Sequence, residues 1–374
     1  MLQSAPAVLA LRSAVAASPA PRSLLVCSGG EEGGIYGASW DVESGAIGPM
    51  SQLAKGDSPA FVAMAQDRGR TFAYVVSEAT GRRAAVSAFA VDTQTHALQR
   101  INMQPSMGDG PTHVSVSPDH RVVAVANYAG AGMTTYRVER NGGLSAPVSH
   151  VSYEGHGPNA GRQEHAHAHS VRFTADGRFL LVSNFGLDQI LVYRVHGRTG
   201  RVTPNAVPLW SAVPGSGARH IAFHPNGRWI YSLNELNSTI DLLKWDGDAG
   251  RITLAGNVSS LPEGFPQGKA FSGEIAISPD GRNLYVGNRV ASDTIAVFRV
   301  DGDGSLLTLV QLASNGGKNT RHFAIDPTGR WVVLCNVASE TVVVLERSRT
   351  TGELSGPVHT YPLRTPMWVG FVPS

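Results

Sequence analysis

RHIAFHPNGRWIYSLNE (residues 219–235) decides the fold. An apolar run rises to a Pro-Asn-Gly-Arg turn, a second apolar run returns, and the phrase stops at an Asn. Pro, Asn and Gly together set a tight turn, and short apolar runs on either side of one form a β-hairpin. The phrase recurs as THVSVSPDHRVVAVANY (112–128), HSVRFTADGRFLLVSNF (169–185), GEIAISPDGRNLYVGNR (273–289) and RHFAIDPTGRWVVLCNV (321–337), with a weaker copy, FVAMAQDRGRTFAYVVSE (61–78). The terminal asparagines fall at 127, 184, 234, 288 and 336, a period of about 50 residues.

A second phrase follows each first one: a strand, a polar turn, then Gly and an apolar residue. It occurs seven times, with Gly45, Gly142, Gly200, Gly250, Gly304 and Gly352 at one turn position and His96 in their place in the second copy. Each unit is therefore two hairpins, or four strands, and a four-stranded unit of this length is a β-propeller blade. Seven second hairpins imply an all-β, seven-bladed propeller. SLLVCSGG near the start and PMWVGFVPS at the end are expected to share one blade and close the ring, which removes open sheet edges. Residues 23–374 are expected to form one domain. Residues 1–22 are Ala-rich and lack a basic start, and are expected to be a disordered tail or the remnant of a signal peptide.

Composition narrows the function. The chain has 374 residues, 42% hydrophobic and 16% charged, with a formal charge of +2. That balance carries no electrostatic footprint for nucleic acid. No apolar run is long enough to span a bilayer. Cys27 and Cys335 are the only cysteines, too few for a disulfide framework or a cysteine zinc site, and are expected to be buried thiols. Neither a GxSxG elbow nor a glycine-rich loop opening a helix is present, which removes the usual serine-nucleophile and dinucleotide readings.

Because the turn joins antiparallel strands, the start of the first strand and the end of the second lie at one end of the hairpin. Repetition places those positions around one mouth of the central channel. They are His113, Ser170, His220, Glu274 and His322. One residue earlier come Thr112, His169, Arg219, Gly273 and Arg321, and after each Asn come Tyr128, Phe185, Glu235, Arg289 and Val337. Strand interiors repeat from blade to blade, whereas these positions diverge and carry charge or imidazole. The bland alternative is a solvated rim. The set favours a small anionic ligand, since guanidinium forks grip phosphate or carboxylate and a His or Glu beside them serves as general base. The arginines at the opposite turns (Arg121, Arg178, Arg228, Arg282 and Arg330) repeat regularly and are expected to be structural.

GRQEHAHAHS (161–170) raises a separate question. Continued as a strand, it turns His165, His167 and His169 to one face, and two imidazoles with Glu164 or a distant carboxylate form a conceivable zinc site. In a strand, however, Glu164 points the other way, and no HExxH is present.

These motifs, with EGHGPNAGRQEHAHAHS (154–170) above all, resemble the 6-phosphogluconolactonase family of seven-bladed propeller lactonases, which is related to carboxymuconate-cyclising enzymes. The resemblance runs from about residue 24 to 372. It implies hydrolysis of 6-phospho-D-glucono-1,5-lactone, the second step of the oxidative pentose phosphate pathway, with no metal or other cofactor. It also implies a catalytic set on His167, His169, Arg219, Glu235 and Arg289, and the repeat register at the mouth offers His113, His220, Glu274, Arg321 and His322 as further substrate contacts. Which of His167, His169 and Glu235 is the base stays open. The expected partner is a small anionic lactone, with no nucleic acid or membrane, and the oligomeric state is unassigned. The expected compartment is the cytoplasm, or the periplasm if the N-terminus is a truncated signal. The competing readings are an enzyme for another anionic lactone, such as a muconolactone, and a non-catalytic propeller that binds a partner.

Overall fold

A computed structural model describes residues 23–373. The expectation for residues 1–22 lies outside them. Among the described residues the strands form seven four-stranded antiparallel sheets. Blades 2 to 7 each use four consecutive strands, and their innermost strands are Pro59–Asp67, Pro111–Val116, Ala168–Phe173, Ala218–Phe223, Ala270–Ile277 and Thr320–Ile325. Blade 1 is composite. Its inner strand, Pro366–Phe371, pairs with Ser23–Ser28, which continues to Gly34–Ser39 and Ser51–Lys55. The first and last strands thus share a blade, as their sequence context predicts.

The second strand of each blade is apolar on both faces because it is covered on both. Val122–Asn127, Phe179–Asn184, Trp229–Asn234 and Trp331–Asn336 are buried at every residue. Their side chains form the cores between neighbouring blades: Trp331, Val333 and Cys335 pack on Leu24, Val26 and Trp40. Cys27 and Cys335 are free and buried.

The strand-ending asparagines have a mechanical role. Asn127, Asn288 and Asn336 donate to the carbonyls of Ser106, Ser260 and Asn315 at 2.8, 2.7 and 3.0 Å. Each of those carbonyls lies in the connector leading into the same blade, so the amide pins the incoming chain where a buried carbonyl needs a partner. Two of the arginines at the far turns have structural partners. Arg178 bonds Asp176 at 2.6 Å and the Gly247 carbonyl at 2.7 Å, and Arg330 bonds Glu346 at 3.2 Å.

Candidate active site

The mouth residues are aimed by a defect that repeats around the ring. Ala218 pairs with Asn234, but the next paired residue is His220, with Leu233, so Arg219 is the extra residue of a β-bulge. The same shift leaves Ala60, Thr112, His169 and Arg321 unpaired in their blades, and blade 6 skips Gly273 and Glu274. A bulge breaks strict alternation and re-aims a side chain. Two successive residues can then face the channel, and the Arg219 guanidinium Nη1 lies 3.2 Å from His220 Nε2.

Glu235 is the hub. Arg219 Nε donates to its Oε2 at 2.9 Å, and Arg162 and Arg289 donate to its Oε1 at 2.8 and 2.9 Å. Burial alone would raise this carboxyl, but Arg289, Arg219 and Arg162 outweigh it and hold it at about 2. Burial and the Arg289 charge lower Arg219 to about 10, so both partners stay charged near neutrality. Three guanidiniums on one carboxylate leave two positive charges in excess. Exposure rises outward, from 2% for the Glu235 side chain to 14% for Arg289, 24% for Arg321 and 39% for Arg162. Arg321 is paired with Glu78 at 2.6 Å.

Beneath these groups the channel is closed by the residues that follow the bulges. Phe61 packs on His113 with ring centroids 4.1 Å apart and on His322 at 5.2 Å, and Trp368 lies 5.6 Å from His322. His220 donates from Nδ1 to Glu274 at 3.0 Å, and His322 Nε2 is 3.5 Å from the other Glu274 oxygen. Burial lowers His113 and His220 well below the usual imidazole range, reinforced chiefly by His220 for the former and Arg219 for the latter. It lowers His322 to about 4 against the pull of Glu274. Arg172, one position beyond Val171 on the inner strand of blade 4, carries a charge that acts on all three imidazoles.

The histidine run does not lie on one face. Its strand begins only at Ala168, so His165 and His167 belong to the preceding loop, and the expectation of a shared strand face is corrected. Gln163 anchors that loop, donating to the Phe185 carbonyl and the Asp188 carboxylate, each at 2.8 Å. Asn184 accepts from the His167 backbone N–H at 3.0 Å. Tyr128 divides the run. His167 stacks on one side of its ring, 4.1 Å between centroids, while His169 meets the ring edge-on at 5.4 Å. His169 also lies 5.1 Å from His220, and its Nδ1 is buried without a hydrogen-bond partner. Burial and the nearby Arg219 charge lower it well below the imidazole range.

The predicted residues thus fall into three places. Arg219, Glu235, Arg289, Arg321 and His169 meet at the mouth, His113, His220, Glu274 and His322 form the floor, and His167 sits behind Tyr128. Repeat register missed Arg162 and Glu78 at the mouth, and Arg172, Phe61 and Trp368 about the floor. A separate cleft of about 700 Å³, lined by Glu31, Lys55, Arg82 and Arg100 among others, shares no residue with this site and holds none of its buried ion pairs.

The site is thus an arginine-rich channel mouth on a seven-bladed propeller, with buried imidazoles below it. A family model described as "Lactonase, 7-bladed beta-propeller" matches residues 23–371, and the chain belongs to that family. It is 33% identical over 344 residues to a 6-phosphogluconolactonase of Bacillus subtilis, covering 92% of this chain and 95% of that one. It is 27% identical over 327 residues to a protein of the same name from Formosa agariphila, covering 86% and 90%. Among solved structures, the periplasmic gluconolactonase of Pseudomonas aeruginosa superposes with a TM-score of 0.87 at 28% identity, covering 94% and 98%. The chain is accordingly a lactonase, a hydrolase of lactone ester bonds. Among the described residues no helix is long and apolar enough to cross a membrane.

Proposed function

We propose that the chain hydrolyses 6-phospho-D-glucono-1,5-lactone to 6-phosphogluconate at the axial cup. The observation that carries the reading is the convergence of Arg162, Arg219 and Arg289 on the single Glu235 carboxylate, which leaves guanidinium charge to spare for a phosphate and for a carbonyl oxygen that becomes anionic. In hydrolysis, a water oxygen bonds to C1 of the lactone and charge builds on the carbonyl oxygen. The bond from C1 to the ring oxygen then breaks, and that oxygen takes a proton to become the C5 hydroxyl. Arg219 and Arg289, the deeper guanidiniums, stabilise the carbonyl oxygen, as preorganised donors in a water-poor site do. Arg162 and Arg321, nearer the rim, hold the phosphate in forked hydrogen bonds.

Glu235 makes a poor base. Both its oxygens are taken by arginines, so neither is free to accept a proton from water. Its role is to fix the three guanidiniums. His169, with an unpartnered Nδ1 beside Arg219 and His220, is the base that removes the proton from water, and it returns that proton to the leaving ring oxygen. His113, His220, Glu274 and His322 are the polar floor against which the sugar ring rests. The cytoplasm, where a phosphorylated sugar lactone arises, is the compartment that fits this substrate.

The test is a pH-stat assay corrected for spontaneous opening, run on phosphorylated and unphosphorylated gluconolactone. His169→Ala is expected to lower kcat by about 10²–10⁴-fold, the usual worth of a general base, and His167→Ala by much less. Arg321→Ala is expected to raise KM for the phosphorylated lactone alone. Equal rates on both lactones, unmoved by Arg321→Ala, overturn the phosphate assignment and favour a periplasmic sugar lactonase.

A further inference from the structure

The loop ahead of the inner strand of blade 4 brings three ligand atoms together on the outer side of Tyr128. Nε2 of His167 is 3.4 Å from a Glu164 carboxylate oxygen, and Nε2 of His165 is 4.0 Å from the same oxygen. The three atoms all lie within 4.8 Å of one another. Neither imidazole is free to choose its tautomer. Nδ1 of His165 is 3.0 Å from the Ala166 carbonyl oxygen, and Nδ1 of His167 is 3.0 Å from the Tyr128 carbonyl oxygen. A carbonyl only accepts, so each Nδ1 carries the hydrogen and each neutral ring presents a lone pair at Nε2. Two lone pairs and a carboxylate oxygen then converge with no hydrogen between them. The His167 side chain is only 4% exposed, and its Nε2 has no hydrogen-bond partner.

Three acceptors facing one point call for a cation. The structure assigns this cluster as a binding site for a divalent first-row metal ion of the zinc type, held by His165 Nε2, His167 Nε2 and Glu164. Zinc bonds to imidazole nitrogen and carboxylate oxygen at about 2.0–2.2 Å, which puts tetrahedral ligand atoms about 3.4 Å apart. The Glu164–His167 separation already matches that edge. The Glu164–His165 separation must close by roughly 0.6 Å and the His165–His167 separation, within 4.8 Å, by at most about 1.4 Å, and Glu164 and His165 are half-exposed in the loop that makes the adjustment. Carbonyl acceptors behind metal-bound imidazoles are the usual outer support, since they orient the ring and raise its basicity. Binding is an exchange of ligands: the ion gives up waters to two nitrogens and an oxygen, and the remaining position opens to solvent on the exposed side.

The pattern was discounted in the sequence because Glu164 in a strand points away from the histidines. The strand starts four residues later, at Ala168, and buried Gln163 holds the loop so that Glu164 folds back beside them. The site is separate from the arginine cup, and its existence does not depend on the lactonase reading.

The experiment titrates the chelator-treated full chain with Zn²⁺ by calorimetry and with Co²⁺ by visible absorption. The wild type is compared with His165→Ala and Glu164→Gln, two exposed-loop substitutions whose folding is checked by circular dichroism. One ion per chain is expected, with Co²⁺ bands of a low-symmetry nitrogen–oxygen site and affinity reduced at least about tenfold in each variant. Binding that survives both substitutions, or no heat and no Co²⁺ absorption up to millimolar metal, overturns the assignment.

Discussion

At the residue scale, the site is governed by which charges are buried with a partner and which are buried neutral. Glu235 is the first kind. Its carboxyl near 2 lies below the ordinary value of 4.5, so its contribution to stability is present above about pH 4.5 and lost as pH falls toward 2. His322 is the second kind, at about 4 against an ordinary 6.5. The unfolded chain takes up that proton near pH 6.5, whereas the folded chain resists it because Glu274 is outweighed by burial, His220, Arg172 and Arg219. Stability therefore falls between about pH 6.5 and 4, by on the order of 3 kcal/mol from this residue, and His113 and His220 add to the same limb. Urea unfolding at a series of pH values is expected to show loss of stability starting near pH 6.5, above the carboxylate range, with a shallower slope in His322→Gln. Among the residues that matter here, the sequence exposed those that occupy a repeat position. Arg219, Glu235 and Arg289 differ from their counterparts in other blades, and that difference is visible. Arg162 lies in the long connector of blade 4, has no counterpart, and was seen only as a neighbour of the histidines.

At the element scale, the turn of each second hairpin shows what repetition could and could not disclose. All seven positions take a left-handed backbone, with φ from 63° at His96 to 101° at Gly304, which explains the recurrent glycine. The sequence does not reveal that most of these glycines also lie against the neighbouring blade. A Cβ on Gly45 would stand 2.7 Å from Trp331, one on Gly304 2.7 Å from Trp229, and one on Gly142 would overlap the Phe72 ring. In each case the neighbour lies at or beside the start of the second strand of the preceding blade. For His96 the preceding blade is the composite one, where that strand starts at Ser23, a small residue, so a side chain is sterically admissible. Gly142→Ala is expected to cost about 2–5 kcal/mol, combining left-handed strain with overpacking. His96→Gly is expected to gain up to about 1 kcal/mol by relieving strain. Thermal unfolding of the two variants measures both signs.

At the scale of the whole molecule, the seven-fold period made the architecture legible, because each blade solves the same packing problem with the same residues. The closing blade was legible from two lone strands, but its contribution to the site was not. PMWVGF (366–371) carries no second half against which to set its register, and Trp368 could be placed opposite Cys27 only once the sheet was formed. Phe61 was obscured in the same way by its degenerate turn. Removing residues 366–374 is expected to strip Ser23–Ser28 of its inner partner and expose a long apolar edge of the kind that pairs with other chains. Size-exclusion chromatography is expected to show association or loss of the compact species, and a monodisperse, cooperatively unfolding truncated protein would contradict the closure described here.

The floor of the cup has a further consequence in time. His113, His220, Glu274 and His322 are all synthesised before Trp368, and the Val369 backbone N–H that reaches His322 Nδ1 at 3.3 Å comes later still. A nascent chain can fold six blades as it emerges and still lack the wall that completes the floor. Catalytic competence is therefore the last property the chain acquires, and turnover in a translation reaction reports the moment of ring closure.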